Sequence, residues 1–342
     1  MTQLMKAIVL EGPNQVSMKE IPIPTPGPSE VLIRTKAGTI CTSDIMDMEL
    51  GLFSDNNAPV PMVMGHEGAG IISELGEGVT LLKVGDEVAV HPVIPCYICA
   101  SCKRGFPHLC DNMGHLCFNK PGCFAEYFVI RQDRVRLLPP DMSFAVASLM
   151  EPVCVCLEAV NRGKVDENSR VLIAGDGPFG IMISKLCALK GAKQIIHTGF
   201  YDSRLSHSAG QPLNINSEPN LSAKIMQLTE GEGVDTAILC VSSPAAVDLC
   251  IEMLCSRGTM VVFSATNGKT PIDLMRVHLK ELNIAGSNND ENYMDVAIKL
   301  LEDPALGLDK IITHELPFEE WKEGFRLASE GKENCLKVSL II

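Results

Sequence analysis

The chain has 342 residues, a length that favours two domains, and 46% of them are hydrophobic, enough to build a core and exclude disorder. Lys+Arg 29 against Asp+Glu 42 gives a net charge of −13, which argues against a nucleic-acid partner because such binding rests on phosphate neutralisation. No apolar run approaches the roughly 20 residues that span a bilayer, and the start "MTQLMKAIVLEGPNQ" reads as a strand and turn rather than a signal peptide, so a cytoplasmic protein with no membrane partner is expected.

Residues 1–150 read as short strands between Gly/Pro turns: "EVLIRTKAG" (30–38), "GAGIISELG" (68–76) and "GDEVAVHPV" (85–93). "IPCYICASCKRGFPHLC" (94–110) follows, with Cys96, Cys99, Cys102 and Cys110 spaced C-x2-C-x2-C-x7-C. Four thiolates so close in sequence suit a closed tetrahedral zinc site of the structural kind, with Gly105 and Pro107 allowing the return turn. An iron–sulfur cluster is the rival, but the bacterial ferredoxin run ends C-x3-C-P, whereas Asp111 follows Cys110 here. Surface thiols without a metal are the bland alternative. Cys117, Cys123, Cys154, Cys156, Cys187, Cys240, Cys250, Cys255 and Cys335 are scattered and read as small buried hydrophobes. A closed metal site performs no chemistry, so the reactive groups are sought elsewhere.

The texture changes near residue 151. "RVLIAGDGPFGIMISKLCALKGAKQIIHTGF" (170–200) reads as strand, glycine turn, helix and strand. Strand candidates follow at "VDTAILCV" (234–241), "GTMVVFSA" (258–265) and "LNIAGS" (282–287), with the helical "AAVDLCIEML" between. Such alternation predicts an α/β fold with a doubly wound parallel sheet. Gly175, Gly177 and Gly180 form G-x-G-x-x-G between an apolar strand and a helix, the context a dinucleotide fingerprint requires. The tail (314–342) reads as one amphipathic helix and a last strand.

"CTSD" (41–44), "GHE" (65–67) and "MEP" (150–152) supply Cys41, His66 and carboxylates, a mixed set that suits zinc with a position open for substrate or water. On these motifs the chain resembles the zinc-dependent medium-chain alcohol/polyol dehydrogenases. "GHEGAGIISELGEGV" is similar to that family's zinc signature, the four-cysteine stretch to its structural zinc lobe, "GCFAEYFVI" to its Gly-x-Phe-Ala-Glu-Tyr strand and "GDGPFG" (Gly175, Gly177, Pro178, Phe179 and Gly180) to its nucleotide turn. "SLMEPVCVCLEAV" resembles the sorbitol and threonine dehydrogenase branch. The resemblance implies a GroES-like β-rich catalytic domain (1–150, with 289–342 returning to it) around a Rossmann nucleotide-binding domain (151–288). It implies one catalytic and one structural zinc. Cys41, His66 and Glu67 are implied ligands of the catalytic one. Glu151 lies beside them, either as a ligand or as a partner of bound water, and the sequence does not choose. Ser43 is implied beside the substrate oxygen as the start of a proton relay. Asp44 is implied as the partner that orients His66.

The implied reaction moves hydride between C4 of NAD or NADP and a secondary alcohol or ketone on a small polar substrate such as a polyol, sugar or cyclitol. A threonine-dehydrogenase-like enzyme or a ketoreductase is the enzymatic alternative. A non-enzymatic zinc-binding module belongs to another class, and the acidic charge counts against it. A homodimer or homotetramer is implied. Two departures stand out. Met46 occupies the place of the family's relay histidine, which leaves Asp47 and Glu49 as candidates for proton exit. "GSNND" replaces a common Phe-Arg, and Asn288 and Asn289 read equally as substrate contacts or as an ordinary polar loop. Gly199 falls where NAD enzymes of this fold carry an acidic residue. With Arg204 nearby to pair a phosphate, the expectation leans to NADP, while Phe200 and Tyr201 read as flanks for an adenine and Asp202 as a substitute acceptor.

Overall fold

The strand Glu30–Thr39 is buried almost without alternation, because it runs through the middle of a sheet. It pairs antiparallel with Glu67–Leu75 on one side, and with Tyr127–Arg131 and Lys337–Ile341 along other parts of its length. Glu87–Val90 and Val135–Leu137 extend the sheet one way, and Ile312–Pro317 closes it the other way, parallel to Lys337–Ile341. Leu4–Gly12, Gln15–Pro22 and Met62–Val63 form a smaller sheet. The computed structural model describes residues 3–50, 60–265, 269–290, 292–331 and 334–342. The chain divides into two compact units, Met1–Cys154 with Glu291–Ile342, and Val155–Asp290.

In the first unit, Ile33, Met64, Phe124, Phe128, Trp321 and Phe325 belong to one buried cluster. The tail contributes the helix Trp321–Glu330, whose apolar stripe packs Trp321 edge-on against Phe325, with ring centroids 5.9 Å apart.

The second unit is a six-stranded parallel sheet. Its order is Gln211–Asn214, Gln194–Gly199, Arg170–Ala174, Val234–Leu239, Leu254–Val262 and Asn283–Gly286. Chain order reverses beside Arg170–Ala174, so the turn that follows this strand sits at the switch point where such sheets bind ligands. Two details differ from the sequence reading. The strand expected at 258–265 starts at Leu254, where Leu254 pairs with Val234 before a register shift. The strand Gln211–Asn214 carries no apolar pattern; it is a short edge strand, a setting that tolerates Pro212.

Phe144–Arg162 is, by length and composition, apolar enough to cross a membrane, and 78% of its most apolar window is buried inside the fold. Glu151 and Glu158 interrupt it, which is why the sequence does not read as a span.

Candidate functional site

The four-cysteine loop is closed by a short ribbon in which Val93–Ile94 pairs antiparallel with Gly114–His115. Cys99 caps the helical turn Ala100–Lys103 by accepting from the Cys102 N–H at 3.5 Å. Three further N–H groups donate to sulfur: Cys96 to Cys110 at 3.3 Å, Asn112 to Cys110 at 3.3 Å, and Asp111 to Cys99 at 3.4 Å. The four Sγ atoms lie within 4.8 Å of one another and form no disulfide. Backbone N–H groups, that of Ile98 foremost, draw the Cys96 thiol down to about 6, and that of Cys102 lowers Cys99. Removal from water acts the other way, holding Cys102 up at about 12 and raising Cys110. Four converging sulfurs fringed by amide donors fit a closed zinc site.

The second cluster is built where the central strand meets the helix Thr42–Leu50. Asp44 locks this corner: its Oδ2 accepts from the Cys41 N–H at 2.8 Å. Its Oδ1 stands 3.4 Å from His66 Nδ1, an ion contact that leaves this buried nitrogen without a hydrogen bond among the described residues. Gly65 turns the chain into His66 at φ +86°, and a Cβ there would stand 2.5 Å from Phe124 Cγ. The "GHE" turn is therefore seated on the "GCFAEYFVI" strand. Glu67 opens the strand Glu67–Leu75 with both oxygens engaged. Oε1 accepts from Lys337 Nζ at 2.6 Å, and Oε2 accepts from the Thr39 hydroxyl. The ligand atoms of Cys41, His66 and Glu67 lie within 4.8 Å of one another, and all three residues are buried.

The charges in this pocket are paired. Burial opposes a charged His66, yet the Asp44 carboxylate prevails and holds the imidazole well above 6.5. Burial opposes a charged Lys337 too, but Glu67, Cys41 and Glu151 together raise it. Glu151 is buried in the first turn of Met150–Arg162 and is not among the described residues whose ligand atoms come within that 4.8 Å. Ser43 is half-buried in the first turn of Thr42–Leu50, Met46 is half-buried, Asp47 is fully buried and Glu49 is exposed. The Cys41 sulfur, the His66 imidazole and the Glu67 carboxylate converging in a dry pocket fit a zinc ion.

Several residues here carried no clear signal in the sequence. Lys337 is a lysine inside the apolar run "CLKVSLII", which is the only hint of its burial. Cys117, expected as a small apolar filler, is buried but polar in its surroundings. Its Sγ lies 3.9 Å from Asp44 Oδ1 and 3.8 Å from Asp47 Oδ2, and burial holds the thiol up at about 12. The His115 ring lies 5.8 Å from that of His66, and burial with that neighbour pushes it down to about 3.

In the second unit Gly175, at φ +122°, ends the strand Arg170–Ala174, and Pro178 opens the helix Pro178–Leu189. Apart from its own chain neighbours, no atom of the described residues lies within 4 Å of a Cβ built at Gly177, so the turn leaves open space before the helix N-terminus, which fits a pyrophosphate. Gly180 packs this helix close to the turn, and the Phe179 ring meets Phe263 at 5.3 Å. Beneath the turn, buried His197 contacts the Gly175 carbonyl and the Ser208 hydroxyl, each at 2.8 Å. Phe200 and Tyr201 are exposed, and the Arg204 guanidinium rests 4.9 Å from the Tyr201 ring centroid. Asp202 accepts from Asn214 at 2.8 Å. In the same unit Asn288 is exposed, and Asn289 makes a turn at φ +53°. The expected lean to NADP assumed a strand end without an acidic group. Beside Gly199, the Asp176 carboxylate accepts from the Phe200 and Tyr201 N–H groups at 2.7 and 2.8 Å.

Residues 27–140 match the family described as alcohol dehydrogenase GroES-like domain, and residues 178–303 the one described as zinc-binding dehydrogenase. Sorbitol dehydrogenase of Bombyx mori is 31% identical over 338 residues, 95% of each chain. L-threonine 3-dehydrogenase of Pyrococcus horikoshii is 32% identical over 341 residues, 97% of each chain. A solved structure from Escherichia coli CFT073, described as a short chain alcohol dehydrogenase (rspB) complexed with NADH, is similar with a TM-score of 0.90 at 29% identity, over 99% of both chains. With its GroES-like unit and its Rossmann unit, the chain belongs to the zinc-dependent medium-chain alcohol/polyol dehydrogenases and is an NAD(P)-dependent oxidoreductase.

Proposed function

We propose that this enzyme interconverts a secondary alcohol and its ketone on a small polar substrate (a polyol, sugar, cyclitol or similar), with one catalytic and one structural zinc per chain. The observation that carries this reading is the buried convergence of Cys41, His66 and Glu67 beside the Asp44 carboxylate. Sorbitol and threonine dehydrogenases at nearly equal identity support a polar hydroxylated substrate and favour neither. A hydroxy-amino acid substrate and a ketoreductase direction remain the readings to test against it.

Cys41 and His66 would hold the catalytic ion together with a carboxylate. Glu67, which also pairs with Lys337, is the carboxylate that converges with them, and Glu151 is assigned to the ion's water. When bound, zinc polarises the substrate oxygen and lowers the pKa of an alcohol, and the dinucleotide accepts the hydride. Ser43 takes the alcohol proton. With Met46 in place of a histidine, the proton leaves toward exposed Glu49 rather than buried Asp47. Asp44 keeps the His66 ring in its ligating orientation. Cys96, Cys99, Cys102 and Cys110 hold the second zinc, which ties their loop together.

A cytoplasmic homodimer or homotetramer completes the proposal. Leu274, Met275, Leu279 and Ile284 are exposed next to or on the edge strand Asn283–Gly286, an arrangement that favours a covered edge. Light scattering at low concentration tests this, and a monomer would contradict it. The functional reading is tested by metal analysis combined with a dehydrogenase screen over polyols, sugars, cyclitols and amino alcohols. Two zincs per chain and turnover of at least one secondary alcohol are expected. One zinc, or turnover confined to primary alcohols, refutes it.

A further inference from the structure

The end of the second strand of the Rossmann unit decides how a dinucleotide's adenosine ribose is read. In this fold an acidic side chain there bonds the ribose 2′-OH and repels a 2′-phosphate. This chain has Gly199 at that position, and on sequence alone the acidic group is missing. A Cβ built on Gly199 would stand 2.5 Å from Asp176 Cγ and 2.6 Å from Asp176 Oδ2. The space where a side chain at 199 would start is therefore filled by the carboxylate of Asp176. That residue comes from the glycine turn between Gly175 and Gly177, not from the strand.

The carboxylate is held in place. Oδ2 accepts from two successive N–H groups, Phe200 at 2.7 Å and Tyr201 at 2.8 Å, and the residue is buried. Both donors land on one oxygen, and the carboxylate has a second, Oδ1. A carboxylate so placed offers Oδ1 to a ribose hydroxyl and disfavours a phosphate, a group of about −2 charge.

We propose that Asp176 is the residue that selects NAD over NADP, taking over from the first turn the role that a strand-end acid plays in this fold. The inference rests on the dinucleotide reading of this unit and adds the selecting residue to it. Gly199 is then a requirement of the arrangement, since any side chain there displaces the carboxylate. Arg204, stacked on Tyr201, is not the deciding charge.

The test is binding, read by nicotinamide fluorescence with NADH and NADPH, on the wild type and on Asp176→Asn. Asparagine keeps an oxygen for the Phe200 and Tyr201 N–H groups and removes the charge. The wild type is expected to bind NADH tighter by about tenfold or more, and Asp176→Asn to shift the ratio toward NADPH by a similar factor. A second measurement needs no variant. AMP and adenosine 2′,5′-bisphosphate differ only in the 2′-phosphate, and AMP is expected to be the better competitor against NADH on the wild type. A wild type that prefers NADPH, a ratio unmoved in Asp176→Asn, or a better competitor in the bisphosphate overturns the assignment. Absence of binding by both dinucleotides is a different result: it removes the dinucleotide reading itself, and the assignment with it.

Discussion

Lys337 donates to Glu67 across a 2.6 Å ion pair that joins the last strand to the strand following His66, and both side chains are almost completely buried. The Thr39 hydroxyl satisfies the other carboxylate oxygen. One charge of the pocket is thus balanced before any metal enters. Removing one partner of such a pair strands the other in a dry site, at a cost of roughly 3–5 kcal/mol. Lys337→Met is expected to lose about that much in denaturant unfolding, and Glu67→Gln with Lys337→Met to recover most of it. A single variant as stable as the wild type would show that the pair is dispensable.

The two cysteine- and carboxylate-based clusters are expected to separate in function. Cys102→Ser removes one of four sulfurs that lie within 4.8 Å, and should lower the melting temperature and release one zinc, because metal binding at a closed site is partly folding energy. Glu151→Ala should abolish most turnover while leaving the melting temperature and the zinc of the four-cysteine loop unchanged. Equal thermal losses in both variants speak against this division.

Ser43→Ala is expected to reduce kcat by about 10²-fold or more, the scale of a lost general acid–base path. Met46→His should speed proton release near neutral pH by restoring a titratable group at the outer end of the relay. The check is steady-state kinetics with a deuterated alcohol that reports whether hydride transfer limits the rate. A near-normal kcat for Ser43→Ala under rate-limiting chemistry rules out the relay.

Asp44→Asn keeps an oxygen able to accept from the Cys41 N–H but loses the charge facing His66 at 3.4 Å. Partners of this kind fix the orientation and basicity of a ligand histidine, and their loss typically weakens metal binding by about 10- to 100-fold. Competition against a zinc chelator measures it, with the four-cysteine site as the internal control. An unchanged affinity would leave Asp44 as a helix cap and nothing more.

Local spacing and periodicity carried much of this protein. Cys96, Cys99, Cys102 and Cys110 are close in the chain, so a single loop brings them together and their order alone points to a metal. Gly175, Gly177 and Gly180 lie between an apolar strand and a helix, and that local pattern is sufficient for the turn. Cys41, His66 and Glu67 were legible only as parts of quoted motifs, since each residue alone is commonplace. What the tertiary structure decided is what long-range packing decides. Lys337 meets Glu67 from 270 positions away, and no local pattern marks a lysine in an apolar strand as a buried counter-ion. Cys117 reads as a small hydrophobe until the fold sets it against Asp44 and Asp47. Asp176 carries no signal in the sequence, and Gly199 reads as a missing acid. Parallel pairing of Arg170–Ala174 with Gln194–Gly199 brings the ends of those strands side by side, and there the carboxylate of one turn fills the space left by the glycine of the other. Charge and chemistry at a position can thus be supplied by a residue far away in sequence, because side chains compete for space in three dimensions rather than along the chain.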